Sequence, residues 1–102
     1  MNICMMKAKE LDYYKNEKGG ILIDLRGAGE YRKDHIPGAV NVPYDTLERF
    51  AAVSDKRQLY LLYCDRGIMS LKAARRLARE GYQICALAGG LKAYREWQIY
   101  AD

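Results

Sequence analysis

The chain has 102 residues, half of them hydrophobic, with 17 Lys and Arg against 13 Asp and Glu and a formal charge of +4. That length accommodates one hydrophobic core and not two ordinary domains, so a single domain over residues 1–102 is expected. Charge spread along the chain without blocks excludes a disordered protein, and the modest positive balance favours anionic partners without selecting one; no recognisable nucleic-acid module accompanies it.

No stretch approaches the ~18 apolar residues of a membrane span, and the opening MNICMMKAKE lacks the apolar run of a signal peptide. Cys4, Cys64 and Cys85 are odd in number and far apart, which suggests neither a disulfide framework nor a metal site. A reducing compartment and a cytoplasmic location follow as expectations.

In chain order, Ile3–Met6 reads as a strand and Ala8–Tyr14 as a helix. Ile21–Leu25 is the next strand, followed by a short helix near Gly29–Lys33, a strand over Ala39–Val42 and a helix over Tyr44–Ala52. Leu59–Tyr63 is an apolar, partly aromatic run with the length of a buried strand. Ser70–Glu80 is the clearest helix, with Leu71, Ala74, Leu77 and Ala78 on one face, basic residues around the rest, and Gly81 as its stop. A strand over Ile84–Leu87 and a helix over Leu91–Tyr100 complete the pattern. Strands alternating with helices imply right-handed βαβ units, hence an α/β fold with a mainly parallel sheet covered on both faces. Sites in such sheets form where strands end and helices begin.

Cys64 stands at such a point. It follows the Leu59–Tyr63 strand and precedes Asp65, Arg66, Gly67, Ile68, Met69 and Ser70, which lead into the amphipathic helix. Unpaired main-chain N–H groups of a loop and helix start stabilise negative charge, and so draw a cysteine toward its reactive thiolate. Gly67 supplies the backbone freedom to close the loop around an anion. The alternative is a buried strand-end cysteine that serves only packing.

The order and spacing of Ile23-Asp24-Leu25-Arg26, Glu30-Tyr31, His35-Ile36-Pro37-Gly38-Ala39, Asn41-Val42-Pro43, the Cys64 loop, Gly81-Tyr82, Gly89-Gly90 and Trp97 resemble a single-domain rhodanese, a member of the rhodanese-like sulfurtransferase family. The resemblance implies an α/β fold around a five-stranded, mainly parallel sheet, with Cys64 as the sulfur-carrying residue. The implied chemistry moves a sulfane sulfur from thiosulfate or a persulfide onto Cys64, and then to cyanide or a thiol, without metal or organic cofactor. The amides of Asp65 through Ser70 would hold the anionic sulfur, Arg66 would attract an anionic donor, and the Ser70 hydroxyl would bond within the loop or cap the helix. Partners are then a small-molecule or protein sulfur donor and a thiol acceptor, with no nucleic acid and no membrane.

A Cys-x5-Arg phosphatase loop would place arginine six residues after the cysteine, where this chain has Ser70. Many thiosulfate-using relatives carry a basic residue at the position of Met69. Its absence favours a persulfide donor, or a catalytically weak binding or sulfur-sensing module.

The other reactive-looking residues read as structural. Asp24 and Arg26 could suggest an active-site pair, but Arg26 is four residues before Glu30, and a local ion pair with turn hydrogen bonds suffices; His35, the one histidine, is not needed by a preformed thiolate. Asp34, where relatives have glycine, is expected in a left-handed turn. Cys85 reads as a buried small hydrophobe; an exposed Cys4 acting as a second sulfur relay is the less favoured alternative for the N-terminal cysteine. Gly89-Gly90 reads as close backbone packing, since P-loop spacing and lysine are missing. Trp97 reads as the anchor of the last helix, and Tyr13, Tyr14, Tyr60, Tyr63, Tyr82 and Tyr94 as core-edge packing.

Overall fold

A computed structural model describes residues 3–101. Its five strands are β1 (Cys4–Met6), β2 (Ile21–Asp24), β3 (Val40–Asn41), β4 (Leu59–Tyr63) and β5 (Gln83–Leu87). They form one sheet in the order β1-β5-β4-β2-β3, with every neighbouring pair parallel. The helices are α1 (Leu11–Asn16), α2 (Ala28–Lys33), α3 (Leu47–Ala52), α4 (Ile68–Arg79) and α5 (Gly90–Tyr100). Two expected helices begin as 3-10 turns, Ala8–Glu10 before α1 and Tyr44–Thr46 before α3.

Period-two alternation along the strands divides the core. Ile23, Tyr60, Leu62, Ile84 and Ala86 face Leu47 and Ala51 of α3 and Ala73, Ala74 and Leu77 of α4. Leu22, Leu61, Tyr63, Cys85 and Leu87 face the other way, toward Leu11 of α1 and Leu91 of α5. The central strand β4 is therefore apolar on both faces, as a parallel sheet covered on both sides requires. Removing either Leu61 or Leu62, both fully buried, would cost about 2–5 kcal/mol.

Helix α4 differs from its expected form in two ways. It starts two residues earlier, at Ile68, and its buried positions are Ser70, Ala73, Ala74 and Leu77 rather than Leu71 and Ala78. The face rotates because the polar Ser70 is turned inward, toward Cys64. Gly81 ends α4 at φ +94°. Its N–H bonds the Ala78 carbonyl while that of Tyr82 bonds Leu77, satisfying carbonyls that the helix end would leave free.

The cysteine expectation needs correction. Strands β1 and β5 lie side by side with Cys4 opposite Cys85, and the two sulfurs form a disulfide with Cα atoms 4.5 Å apart. Cys85 is buried as expected, but Cys4 is half-buried and bonded rather than an exposed relay. The pair is 81 residues apart in sequence, so its proximity exists only once β1 has joined the sheet next to β5. Trp97 is also no anchor: it leans on Tyr94 and keeps about a third of its surface exposed. Leu91, buried in the core, and Tyr94, packed against it, hold α5 instead.

Candidate active site

The C-terminal end of β4 delivers Cys64 into a tight loop, the one free cysteine among the described residues. Its Sγ accepts hydrogen bonds from the N–H of Gly67 at 3.2 Å and of Ser70 at 3.4 Å. The Ser70 hydroxyl lies 3.6 Å from the sulfur and donates to the Gly67 carbonyl at 3.2 Å. That hydroxyl can accept from a protonated thiol, or rotate to donate to a thiolate. Of the six amides expected around the sulfur, two hydrogen-bond to it. Both belong to the Gly67 cap and first turn of α4, so the field of the helix N-terminus adds to them.

Close backbone packing sets this shape. Gly67 has φ +93° and a side chain there would meet the Gly89 N–H at 3.1 Å. A side chain on Gly90 would fall 2.5 Å from the Cys64 carbonyl oxygen, too close for any rearrangement short of moving the backbone. With glycine there, the first turn of α5 reaches the loop. Leu91 N–H donates to the Cys64 carbonyl at 2.8 Å, and Lys92 N–H to the Asp65 carbonyl at 3.0 Å. The free donors of one helix start thereby clamp the loop whose own donors surround the sulfur. The close packing expected of Gly89-Gly90 is this clamp.

Behind the loop lies a buried polar network. Arg26 donates to both Asp24 carboxylate oxygens, at 2.8–3.2 Å, and its own N–H bonds Asp24 Oδ1 at 2.9 Å. Tyr63 donates its hydroxyl to Asp24 Oδ2 at 2.6 Å and accepts the N–H of Ile36 at 3.1 Å. Hydrogen bonding to Asp24 raises the Arg26 pKa above its ordinary value. Burial, and then the bond to Asp24, push the Tyr63 pKa well up. Arg26 is thus paired with Asp24 and not with Glu30.

Arg26 also donates to the Asp34 carbonyl at 2.6 Å. Asp34 corrects its own expectation: its φ of −175° is extended backbone, which presents that carbonyl to the guanidinium. The left-handed residue of this segment is Gly38, at φ +86°. His35 stacks on the Tyr31 ring, with centroids 3.8 Å apart, and its Nδ1 is 2.8 Å from the Tyr31 carbonyl. It does not line the opening above Cys64.

That opening, about 430 Å³, is lined by Leu25, Arg26, Glu30, Asp65, Arg66, Ile68 and Met69 around Cys64. Asp65, Arg66, Ile68 and Met69 are exposed on its rim, whereas Cys64 is buried at its base and Ser70 is buried without lining it. Of the six loop residues expected to bind substrate, Asp65, Arg66, Ile68 and Met69 line this opening and Gly67 and Ser70 do not, while Leu25, Arg26 and Glu30 line it without having been expected there. Arg26 Nη1, 3.7 Å from Asp65 Oδ1, links the buried network to the rim. The strand-end position of Asp24 and Arg26, at the same edge of the sheet as Cys64, was the available signal.

A family model described as the rhodanese-like domain matches residues 7–96. Thiosulfate sulfurtransferase PspE of Escherichia coli is 40% identical over 72 residues, covering 69% of each chain. A tRNA sulfurtransferase of Thermoplasma acidophilum is 39% identical over 64 residues, 63% of this chain, but the match spans only 13% of that much longer protein. Among solved structures, a rhodanese-like domain protein from Staphylococcus aureus superposes with a TM-score of 0.80 at 26% identity, over 90% of this chain and 91% of that one. With the matched span, the all-parallel five-stranded sheet and these sulfurtransferase relatives in agreement, the chain belongs to the rhodanese-like domain family.

Proposed function

We propose that the chain, residues 1–102 acting as one rhodanese-like unit, is a sulfurtransferase whose carrier is Cys64. The observation that supports this most is the pair of N–H donors, Gly67 and Ser70, on Cys64 Sγ. Donors already in place stabilise an anionic sulfur without reorganisation, whether it is the thiolate or the persulfide. In the first step the Cys64 thiolate attacks the outer sulfur of thiosulfate. A new S–S bond forms, the old one breaks, and sulfite leaves with the electron pair. In the second, cyanide or a thiolate takes the outer sulfur from the persulfide, and the electron pair returns to Cys64 as thiolate. A small-molecule or protein persulfide serves as donor by the same exchange.

Asp65, Arg66, Gly67, Ile68, Met69 and Ser70 form the substrate-binding loop in this reading. The charges at the opening favour a persulfide as the better donor. Arg26 is committed to Asp24, Glu30 and Asp65 are anionic, and the neutral Met69 stands on the rim, which among the described residues lining the opening leaves Arg66 as the cation free to meet thiosulfate.

The test is single-turnover kinetics with reduced protein: loading by thiosulfate and by a low-molecular-weight persulfide, followed by release to cyanide or a thiol. Both steps should proceed, with faster loading from the persulfide. Loading without release to any acceptor would favour a sulfur-sensing module; no loading from either donor would sink the proposal.

The proposed setting is the cytoplasm, where the thiol acceptor stays reduced and the Cys4–Cys85 pair would be held as thiols. Alkylation of whole cells before lysis reads this directly, since both cysteines would be labelled there and protected in an oxidising compartment. No described helix is long and apolar enough to cross a membrane.

A further inference from the structure

Two grooves with cationic walls flank the Cys64 loop, and they differ in what their cations already hold. On the α5 side Lys92 and Arg95 line one groove with Asp65 and Arg66, but Lys92 is paired with Glu96 and Arg95 with Asp34. On the α4 side a groove of about 510 Å³ has Arg66, Lys72 and Arg75 in its walls, no carboxylate, and the apolar side chains of Met5, Ile68 and Leu71 between them. Those three cations are exposed and form no ion pair among the described residues.

Like charges gathered on one face without counter-ions raise the local potential and attract an anionic partner. The layout indicates its size. Lys72, Arg75 and the exposed Arg79 succeed one another along α4, a row of about 10 Å at the rise of an α-helix, longer than a small sulfur-donor anion. Its chemistry follows from what lies between the charges. Ile68 is 78% exposed and Met5 41%, which suits a protein surface combining carboxylates with apolar contacts. No aromatic side chain lines the groove to stack a nucleic-acid base.

We propose that this groove docks an acidic segment of a protein sulfur carrier and so brings that partner's cysteine to the opening above Cys64, with which it shares Arg66 and Ile68. The proposal rests on Cys64 as the sulfur carrier. Transfer to the partner then forms a bond between its sulfur and the outer sulfur of the Cys64 persulfide, while the Cys64 S–S bond breaks and its electron pair returns to Cys64.

The experiment uses three fluorescent peptides, each with a serine in place of the reactive cysteine, flanked by Glu and Asp, by Gln and Asn, or by Lys. Anisotropy titration at low salt should show the acidic peptide binding on the order of tenfold more tightly than the neutral one, to wild type and to Cys64→Ser alike. The double variant Lys72→Glu, Arg75→Glu, which breaks no ion pair among the described residues, should lose that preference and gain the lysine peptide. Equal binding of acidic and neutral peptides, or a preference that survives the double reversal, overturns the proposal. So does displacement of the acidic peptide by a single-stranded oligonucleotide at far lower concentration than by unlabelled acidic peptide. Binding is read without any sulfur movement, so failure of the groove and failure of the Cys64 chemistry are seen separately.

Discussion

Cys64 and Cys85 are nearly equal in burial, with 5% and 3% of their surfaces exposed, yet they sit in opposite chemical settings. Cys85 lies in the middle of β5, its backbone committed to the sheet and its sulfur bonded to Cys4 on the neighbouring strand. Cys64 lies one residue past the end of β4, where the chain leaves the ladder and the first N–H groups of α4 become available to its sulfur. Exposure therefore says little about which cysteine can react. Position along the strand decides it, because mid-strand donors are spent on neighbouring strands and strand-end donors are free.

The two cysteines should differ most at the sulfur itself. Cys64→Ser should abolish loading, a loss on the order of a thousandfold or more, whereas the double variant Cys4→Ser, Cys85→Ser should load within about twofold of wild type. Equal losses in stopped-flow loading experiments would erase the distinction.

Stability should show the reverse pattern. Opening the Cys4–Cys85 bond should cost about 2–4 kcal/mol by denaturant titration, because it releases a long closed loop in the unfolded chain. Gly90→Ala should cost a similar ~2–4 kcal/mol, since its new side chain meets the Cys64 and Asp65 carbonyls. Unlike loss of the disulfide, it should also slow loading, because it displaces the clamp on the loop.

Two smaller changes sharpen the picture around Cys64. Tyr63→Phe removes the hydroxyl that serves both Asp24 and the Ile36 N–H, and should cost about 1–3 kcal/mol in chemical denaturation. Met69→Lys places a cation on the rim and should raise the loading rate from thiosulfate by about threefold, an effect that added salt removes.

Local pattern carried much of this molecule. The apolar runs located the strands, their alternation with helices implied a mainly parallel sheet, and the resemblance added that this sheet has five strands. The Cys64 loop was legible because its parts are contiguous: a strand end, Gly67 and a helix start within a few residues. What escaped depends on contacts between distant segments. The Cys4–Cys85 bond requires the strand order β1-β5, and the Asp24–Arg26–Tyr63 network requires β2 and β4 to be neighbours, with Asp24 opposite Tyr63. Asp34 misled because its conformation is set by the Arg26 guanidinium and not by its own preference.

The most direct test of the central claim is to find where the sulfur goes when all three cysteines compete for it. Fully reduced protein, folded and with Cys4 and Cys85 as thiols, would be exposed to a limiting amount of persulfide donor, alkylated, digested and mapped by mass spectrometry. If the main-chain donors at the end of β4 make the carrier, the added sulfur appears on the Cys64 peptide alone. Sulfur shared among the three peptides, or concentrated on Cys4 or Cys85, would contradict the account.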